Sequence, residues 1–218
     1  MNDDLFRSRA EAGKRLAEHL MDYAGSGAVV LAIPRGGVPV AYEIAKRLGA
    51  ELDVIIPRKM PIPWNPEAGF GAITADGTMV LNEPMVESLG LTPDDISRIA
   101  EEVRRAVVRR TKAYRGEKPP VDVAGKTVIL VDDGLASGYT MLAAIQSVRK
   151  LSPSKVIVAV PVASSPAARL VGKAADRLIA LVVSDRLPFA VADFYLEWRD
   201  LTDEEVLHYL QPNTMTEL

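Results

Sequence analysis

Two adjacent carboxylates, Asp132 and Asp133, follow an apolar run at residues 128–131 and precede a loop of small residues at 134–140. The apolar run predicts a strand buried on both faces, where two carboxylates would be costly to desolvate without partners. The loop offers successive backbone N–H groups, and the helix after it would direct the positive end of its dipole to the same place. An anion such as a phosphate fits this loop, and the carboxylates could accept hydrogen bonds from sugar hydroxyls or hold a hydrated cation. The segment therefore predicts a site for a phosphorylated ribose.

The spacing of this segment disfavours three other motifs. No lysine follows a glycine at the offset that a P-loop requires, and the GxGxxG dinucleotide pattern does not fit. Ser137 lies one residue too far from Gly134 for a nucleophile elbow. A strand that ends in a solvated acidic turn remains the plain structural alternative.

The same residues resemble the phosphoribosyl pyrophosphate (PRPP) binding motif of the type I phosphoribosyltransferases. The resemblance implies that Asp132 and Asp133 contact the ribose 2′- and 3′-hydroxyls. It implies transfer of the 5-phosphoribosyl group from PRPP to a nitrogenous acceptor with release of pyrophosphate, and magnesium held mainly through PRPP, with the two aspartates as possible ligands. The residues implied to bind substrate in the loop, mostly through backbone, are Gly134, Leu135, Ala136, Ser137, Gly138, Tyr139 and Thr140.

Ala136 departs from the pattern of one branch of this family. In the 6-oxopurine members an aspartate within the phosphate loop acts as acid and base toward the purine, and Ala136 stands at the matching position. An acceptor of the hypoxanthine or guanine type that depends on this device is therefore disfavoured.

Two further groups of polar residues follow predicted strands. Arg35, Gly36 and Gly37 come after a strand at 28–33, and Arg58 and Lys59 come after a strand at 52–56. Ligands of parallel α/β sheets bind outside the carboxyl ends of the strands, so we expect one shared site. Each group alone has an ordinary explanation, as a strand-to-helix turn and as a solvated charged pair.

The resemblance assigns roles to these groups. It implies that residues 35–37 form the pyrophosphate loop, and that Lys59, with Arg58, stabilises the diphosphate oxygens of the leaving group. Arg35, Lys59, Asp132 and Asp133 are therefore the predicted catalytic residues.

The remaining predicted parts of the site concern a lid and an acceptor pocket. Residues 64–72, rich in glycine and proline, occupy the place of the family's mobile catalytic loop, and we assign Glu67, Phe70 and Gly71 to it; a fixed, packed loop is the alternative. The acceptor pocket would come from a hood built by the N-terminal and C-terminal segments. Its expected stacking residues are Phe189, Ala190 and Tyr195, with core packing an equally good explanation for each.

Elements that could position these residues alternate along the chain. The pattern predicts a single α/β domain at 1–218 with a parallel sheet. The resemblance implies that it has a Rossmann-like core at about 28–183, a small hood at about 1–25 and 184–218, and a helical insertion at about 60–118. Residues 57–78 read as a long loop entering a hairpin at 70–81. Other predicted strands are 127–131, 156–160 and 178–183, and predicted helices are 7–23, 38–48, 92–114, 140–151, 166–175 and 203–210.

The composition argues against several classes of function. A net charge of −3 over 218 residues gives no global reason to bind nucleic acid, and a chain without cysteine has no disulfide or thiolate zinc site. No apolar run is long enough to cross a membrane, so we expect a cytoplasmic protein, and the family suggests a homodimer. The helix at 94–115 carries a basic face, for which solvation is the default explanation and nucleic-acid contact the alternative. A non-catalytic PRPP or nucleotide sensor stays open beside the enzyme. The basic residues are Arg104, Arg105, Arg109, Arg110, Lys112 and Arg115.

Overall fold

Two sheets and the helices around them form over residues 5–211, which is the part of the chain that the computed structural model describes. The strands are β1 (Val29–Ala32), β2 (Glu51–Val54), β3 (Arg58–Ile62), β4 (Asn65–Ile73), β5 (Met79–Leu81), β6 (Thr127–Val131), β7 (Lys155–Ser164) and β8 (Arg177–Ser184). The α-helices are α1 (Arg9–Glu18), α2 (Gly37–Leu48), α3 (Glu83–Leu89), α4 (Pro93–Arg115), α5 (Tyr139–Arg149), α6 (Ser165–Gly172) and α7 (Asp203–Tyr209).

The main sheet is parallel throughout and has the strand order β2-β1-β6-β7-β8. From β1 the chain adds β2 on one side, and from β6 it adds β7 and β8 on the other side. The direction of strand addition therefore reverses between the neighbours β1 and β6, and this is the switch point of the sheet. This sheet confirms the predicted α/β fold class. It also determines where a ligand site should lie, at the carboxyl ends of β1 and β6.

Both faces of the sheet are buried, which explains the apolar runs that predicted its strands. Alternate residues of each strand enter two separate cores. One core packs against α1, α2 and α4, and the other against α5 and α6. The first core receives Val30, Ala32, Ile129 and Val131, and the second receives Val29, Leu31, Val128 and Leu130.

The insertion contains an antiparallel sheet of order β3-β4-β5 in addition to helices α3 and α4. The predicted hairpin is present as β4 and β5, but the long loop expected from residue 57 was wrong, because β3 and most of β4 occupy it. Met60 and Phe70 are fully buried there. Pro61 argued against a strand, because proline has no N–H to donate to a neighbouring strand. The register of the β3–β4 pairing shifts on both sides of Pro61, and this irregularity accommodates the missing donor.

Several helix and strand predictions agree with the structure within a few residues. Thr92 precedes the predicted helix and caps α4, where it forms a capping box with Asp95. The first helix is shorter than expected: α1 ends at Glu18 and a short 3₁₀ turn follows at Met21–Tyr23. Sequence reasoning missed α3 altogether, although Asn82 caps it.

The two terminal segments, which the sequence analysis assigned to a hood, pair with each other. The Phe6 N–H donates to the Phe194 carbonyl and the Leu196 N–H donates to the Phe6 carbonyl, each at 2.8 Å. Helix α1 contributes Leu16 and Leu20 to the first core, so this part of the expected hood belongs to the layer that covers the sheet. The expected hood residues at 1–4 and 212–218 lie outside the described residues.

Within residues 5–211, no helix is both long enough and apolar enough to traverse a membrane.

Candidate active site

The loops after β1 and β6 touch each other at the switch point of the sheet. The pairing of β1 with β6 continues to the end of β6, where the Ile33 N–H donates to the Val131 carbonyl at 2.8 Å. A Cβ atom on Gly37 would lie 2.7 Å from that carbonyl oxygen and 2.8 Å from Asp132 Cα, and one on Gly36 would overlap the Asp133 carboxylate. Only glycine permits this approach, so the two segments singled out in the sequence form one site.

The small-residue loop is anchored on one side and open on the other. The Leu135 N–H donates to the Val162 carbonyl, and the Leu135 carbonyl accepts from the Ser164 N–H, both at 2.9 Å. The Leu135 side chain is buried. Leu135 therefore anchors the loop to β7, and both of its backbone groups are hydrogen-bonded within the protein. The Ser164 hydroxyl adds a second tie by donating to the Ala136 carbonyl at 2.7 Å.

The open side of this loop leads into the N-terminus of α5. Gly138 is the N-cap residue with φ of 84°, a left-handed conformation that favours glycine. Within the described part of the chain no side chain caps this helix, so its first N–H groups lack a protein acceptor. Ser137 is exposed, and Tyr139 and Thr140 are half-buried in the first turn. The sequence pattern predicts that an anion binds these N–H groups.

The two carboxylates of the site have different environments. Burial, and then the negative charge of Asp133, raise the pKa of Asp132 well above its usual range. Asp132 Oδ1 accepts the backbone N–H of Asp133 at 2.8 Å. Asp133 Oδ2 instead accepts from Arg9 Nε at 2.8 Å, and only 9% of the Arg9 side chain and 15% of the Asp133 side chain are exposed.

Sequence reasoning missed Arg9. Its guanidinium also donates from Nη1 to the Arg199 carbonyl at 2.9 Å, and it lies 4.0 Å from the ring centre of Trp198. An arginine on a charged helix face carries no signal in sequence for a contact 124 positions away. Only the pairing of the terminal segments brings it to Asp133.

Arg35 follows β1 as predicted, but its side chain contacts α7. Arg35 Nη1 lies 3.8 Å from Asp203 Oδ1, and Arg110 Nη2 lies 3.9 Å from Asp203 Oδ2. The Tyr114 hydroxyl donates to the same carboxylate; burial, helped by this hydrogen bond, raises the pKa of Tyr114 to about 12. Asp203 therefore gathers two arginines and a tyrosine beside the glycine loop.

Arg58 and Lys59 lie at the start of β3, not directly after β2. Lys59 Nζ donates to the Glu67 carbonyl across the hairpin, and the side chain of Lys59 covers Gly69, where a Cβ would overlap it. Arg58 is exposed and pairs in register with Ile73. In this structure the Lys59 ammonium group is therefore hydrogen-bonded within the hairpin of β3 and β4.

The proposed mobile loop is mostly strand. Phe70 is fully buried in the first core and Gly71 pairs with Met60 and Leu81, so the assignment of Phe70 and Gly71 to a loop was wrong. Their burial against neighbouring elements outweighed the glycine and proline content that suggested a loop. Glu67 is exposed near the hairpin tip, where Trp64 is 65% exposed.

The aromatic residues expected in an acceptor pocket are mainly packing residues. Tyr195 is buried between Phe6 and Trp198, with ring centres 5.5 and 5.3 Å away, and its hydroxyl donates to the Asp133 carbonyl at 2.7 Å. Burial raises the pKa of Tyr195. Phe189 packs on Phe194 at 5.5 Å, while Ala190 is exposed. The packing explanation therefore holds for Tyr195, which fastens the hood to the carboxylate loop.

A cavity of about 360 Å³ lies between the terminal segments and the start of α2. Its lining includes Arg9, Pro39, Trp198 and Tyr209. Arg9, which lines the cavity, also contacts Asp133, whereas neither carboxylate is among the residues that line it.

The donor set fits a magnesium ion that is held mostly by a phosphate ligand. Within residues 5–211, no group of three or more histidine, cysteine, aspartate or glutamate residues is arranged to hold a metal. Magnesium commonly takes one or two protein carboxylates together with substrate phosphates. Asp132 and Asp133 could supply such oxygens, with Asp133 already paired to Arg9.

A parallel sheet of this order, with paired carboxylates and an open anion loop at its switch point, defines a protein of the phosphoribosyltransferase class. A family model for the phosphoribosyl transferase domain matches residues 75–197, and the chain belongs to this family. The sequence resemblance to the type I family is thereby confirmed.

Relatives of the chain agree with this assignment. A protein of Mycobacterium tuberculosis with a provisional phosphoribosyl transferase name is 37% identical over 206 residues, which cover 94% of this chain and 46% of that protein. The chain thus spans about half the length of this relative. A crystal structure from Thermus thermophilus is 40% identical with a TM-score of 0.79, covering 94% of this chain and 97% of that one. The fold is shared with a purine phosphoribosyltransferase of Pyrococcus horikoshii, at 15% identity and a TM-score of 0.50, covering 92% of this chain and 99% of that one.

Proposed function

We propose that this protein transfers the 5-phosphoribosyl group of PRPP to a nitrogenous acceptor and releases pyrophosphate. The observation that carries the proposal is the contact between Gly37 and Asp132 at the switch point, beside the uncapped N-terminus of α5. Membership of the phosphoribosyl transferase family supports it. The protein would then be a PRPP-dependent pentosyltransferase.

The chemistry asks for placement and charge stabilisation rather than a covalent intermediate. Displacement at the anomeric carbon builds positive charge on the ribose and negative charge on the leaving diphosphate. The N–H groups of residues 136–140 would bind the 5′-phosphate, and Asp132 would accept from the ribose hydroxyls. Residues 35–37 are the proposed pyrophosphate loop, and Gly36 and Gly37 let this loop pack directly against the end of β6 and its two aspartates. Magnesium, when bound, would neutralise charge on the diphosphate oxygens.

The cavity of about 360 Å³ between the terminal segments and the start of α2 is the proposed acceptor pocket. Its volume lies in the range of small-molecule sites, and aromatic side chains such as Trp198 and Tyr209 in its lining suit a planar nitrogenous base. Ala136 argues against a 6-oxopurine that needs an acidic partner in the phosphate loop.

A second candidate is a PRPP or nucleotide sensor without transferase activity. One observation favours it: Arg35 pairs with Asp203 and Lys59 with the Glu67 carbonyl, so both expected leaving-group cations are engaged elsewhere. Nucleic-acid contact through α4 is less favoured, because arginines of its basic face pair with carboxylates. These pairs are Arg104 and Arg105 with Glu101, Arg110 with Asp203, and Arg115 with Asp53.

The deciding experiment supplies purified protein with magnesium, PRPP and a panel of nitrogenous bases, and measures pyrophosphate release. The transferase proposal expects release with at least one base, and a loss of about tenfold or more in kcat/KM for Asp132→Asn, since an amide N–H₂ replaces one of the oxygens that would accept from the ribose hydroxyls. Asp122→Asn is the matched control, because this exposed aspartate precedes the other end of β6 and should leave the rate unchanged.

One result would reject the transferase and favour the sensor. It is PRPP binding in a calorimeter with no pyrophosphate released for any base of the panel.

A further inference from the structure

The two edge strands of the main sheet, β2 and β8, have different surroundings. Residues at and after the end of α4 bind β2. The Arg115 guanidinium donates to the Val54 carbonyl at 3.0 Å, and the Val121 N–H donates to the Asp53 carboxylate at 3.2 Å. At the other edge β8 pairs with β7, and in the described part of the chain no strand pairs with its outer side. The open edge of the sheet is therefore β8.

This open edge is long and has an uncharged interior. β8 has eight residues, and residues 178–184 include no charged residue and no proline. Val183 is 52% exposed, whereas β7 is buried from Val156 to Ser164. Natural proteins usually protect an edge strand with charges, proline or a covering element, because its unpaired N–H and C=O groups can pair with another strand. Within the described residues β8 has none of these protections, so its outer side can accept a further strand.

The charges on either side of the uncharged run form a repeat. Asp176 and Arg177 precede it, and Asp185 and Arg186 follow it. Because both pairs have the same order, two antiparallel copies of this segment place acid opposite base at both ends. The register that does so puts Leu181 opposite Leu181 of the second copy, and Arg177 opposite Asp185 of that copy. It also puts Asp176 opposite Arg186.

A shift of this register by one residue in either direction brings like charges together. One shift places Arg177 opposite Arg186, and the other places Asp176 opposite Asp185. Like charges directly opposite each other on neighbouring strands are destabilising. The unshifted register instead pairs apolar side chains in the middle of the strand, with Ile179 opposite Val183 and Ala180 opposite Val182.

Most of these flanking charges have no partner within one copy. In the described part of the chain, the side chains of Arg177, Asp185 and Arg186 are exposed and form no hydrogen bond or ion pair. Asp176 already pairs with Arg149 at 3.3 Å. Arg177 and Asp185 are therefore the charges that are free to select the register.

We propose that β8 is a dimer interface, at which two copies of this chain pair antiparallel about a twofold axis at Leu181. Two sheets of five strands then join into one sheet of ten. Because β2 at the far edge is bound by its own chain, the assembly closes at two copies. The exposed ion pairs set the register, while backbone hydrogen bonds and apolar contacts supply most of the affinity. The antiparallel arrangement turns the two proposed active sites toward opposite sides of the dimer.

Charge exchange between copies tests this register, and analytical ultracentrifugation at low ionic strength measures it. Arg177→Glu places acid opposite Asp185 at both ends of the interface, and Asp185→Lys places base opposite Arg177. Each variant alone should therefore dimerise about tenfold more weakly than the wild type. An equimolar mixture of the two should return to within about threefold of the wild type, because a mixed pair has opposite charges at both ends. Arg109→Glu is the matched control, since it makes the same charge change at an exposed position on α4 and should leave the dimer unchanged.

Cross-linking gives a second test, because the sequence has no cysteine. In Leu181→Cys the two thiols lie directly opposite each other on the axis, so mild oxidation should produce a covalent dimer. Val183→Cys is the control. Its position is 52% exposed, so random collision favours it, yet two such thiols lie four residues apart along the paired strands, which is about 13 Å. Circular dichroism checks that each variant is folded, and the charge-exchange mixture reports on the interface even where Leu181→Cys does not fold.

Three results would overturn the inference. They are a wild-type protein that stays monomeric up to its highest soluble concentration, a wild-type dimer that neither charge variant weakens, and faster cross-linking of Val183→Cys than of Leu181→Cys. A β8 edge that receives a strand of another protein would give the first of these results. None of these measurements uses PRPP, so the proposed function is tested separately.

Discussion

Replacing Gly37 with alanine would push a methyl group into the end of β6. Gly37 is the first residue of α2, and its N–H donates to the Ile33 carbonyl at 3.1 Å. The new Cβ would lie 2.7 Å from the Val131 carbonyl oxygen and 2.8 Å from Asp132 Cα. Both neighbours are backbone atoms at the end of β6, so no side-chain rotation can relieve the overlap.

The size of the effect follows from this overlap. Ordinary Cβ contacts begin at 3.4 Å, so the backbone must yield by about 0.7 Å. Overpacking of this kind costs about 1–3 kcal/mol, which for a chain of this size lowers Tm by roughly 2–12 °C. Because the displaced atom is Asp132 Cα, PRPP affinity should fall in the same variant.

Thermal unfolding followed by circular dichroism and calorimetric PRPP binding measure the two effects. Gly172→Ala is the control, because its Cβ would meet only Leu178 Cδ2 at 3.8 Å and should change stability by less than about 0.5 kcal/mol. A Gly37→Ala protein with wild-type Tm and wild-type PRPP affinity would refute the contact between the two loops.

Two further predictions concern groups whose pKa differs between the folded and unfolded chain. Despite its desolvation, hydrogen bonds from Thr74, Thr78 and other groups hold the pKa of Asp76 below its ordinary 3.8. Asp76→Asn should therefore destabilise the protein at pH 7, and urea unfolding should show the difference from wild type shrinking as the pH falls below 3.8. Burial, and then the hydrogen bond to Asp203, raise the pKa of Tyr114 from 10.0 to about 12. Its contribution of about 0.5–1.5 kcal/mol should be complete below pH 10 and disappear toward pH 12. Comparing unfolding of Tyr114→Phe and wild type at pH 8 and pH 11 tests this, and a constant difference would contradict it.

Local patterns predicted most of the parallel sheet because its signals lie within single elements. The apolar run of β6 and the capping threonine of α4 are readable from a few neighbouring residues, and both elements form where expected. The insertion was harder to predict. Pro61 and the glycines of β4 suggested a loop, whereas burial of Met60 and Phe70 against distant elements stabilises strands there.

Side-chain partners across the fold could not be predicted from the sequence. Arg35 was expected at the diphosphate and instead lies by Asp203, and Tyr195 was expected to stack on an acceptor and instead packs on Phe6. Each contact joins segments more than 150 residues apart. Such pairs depend on how the terminal segments close over the sheet, which no local periodicity encodes.

By itself the sequence predicted the kind of ligand: two acids after a buried strand and a small-residue loop before a helix favour an anion site beside carboxylates, since these properties depend only on backbone donors and neighbouring residues. The tertiary structure alone decided that the two acids differ. Folding brings Arg9 from the N-terminal helix to Asp133 and places it over Trp198 of the C-terminal segment, whereas among residues 5–211 no cation forms an ion pair with Asp132. A buried charge needs a partner, and the partner can come from any part of the chain that the fold brings near.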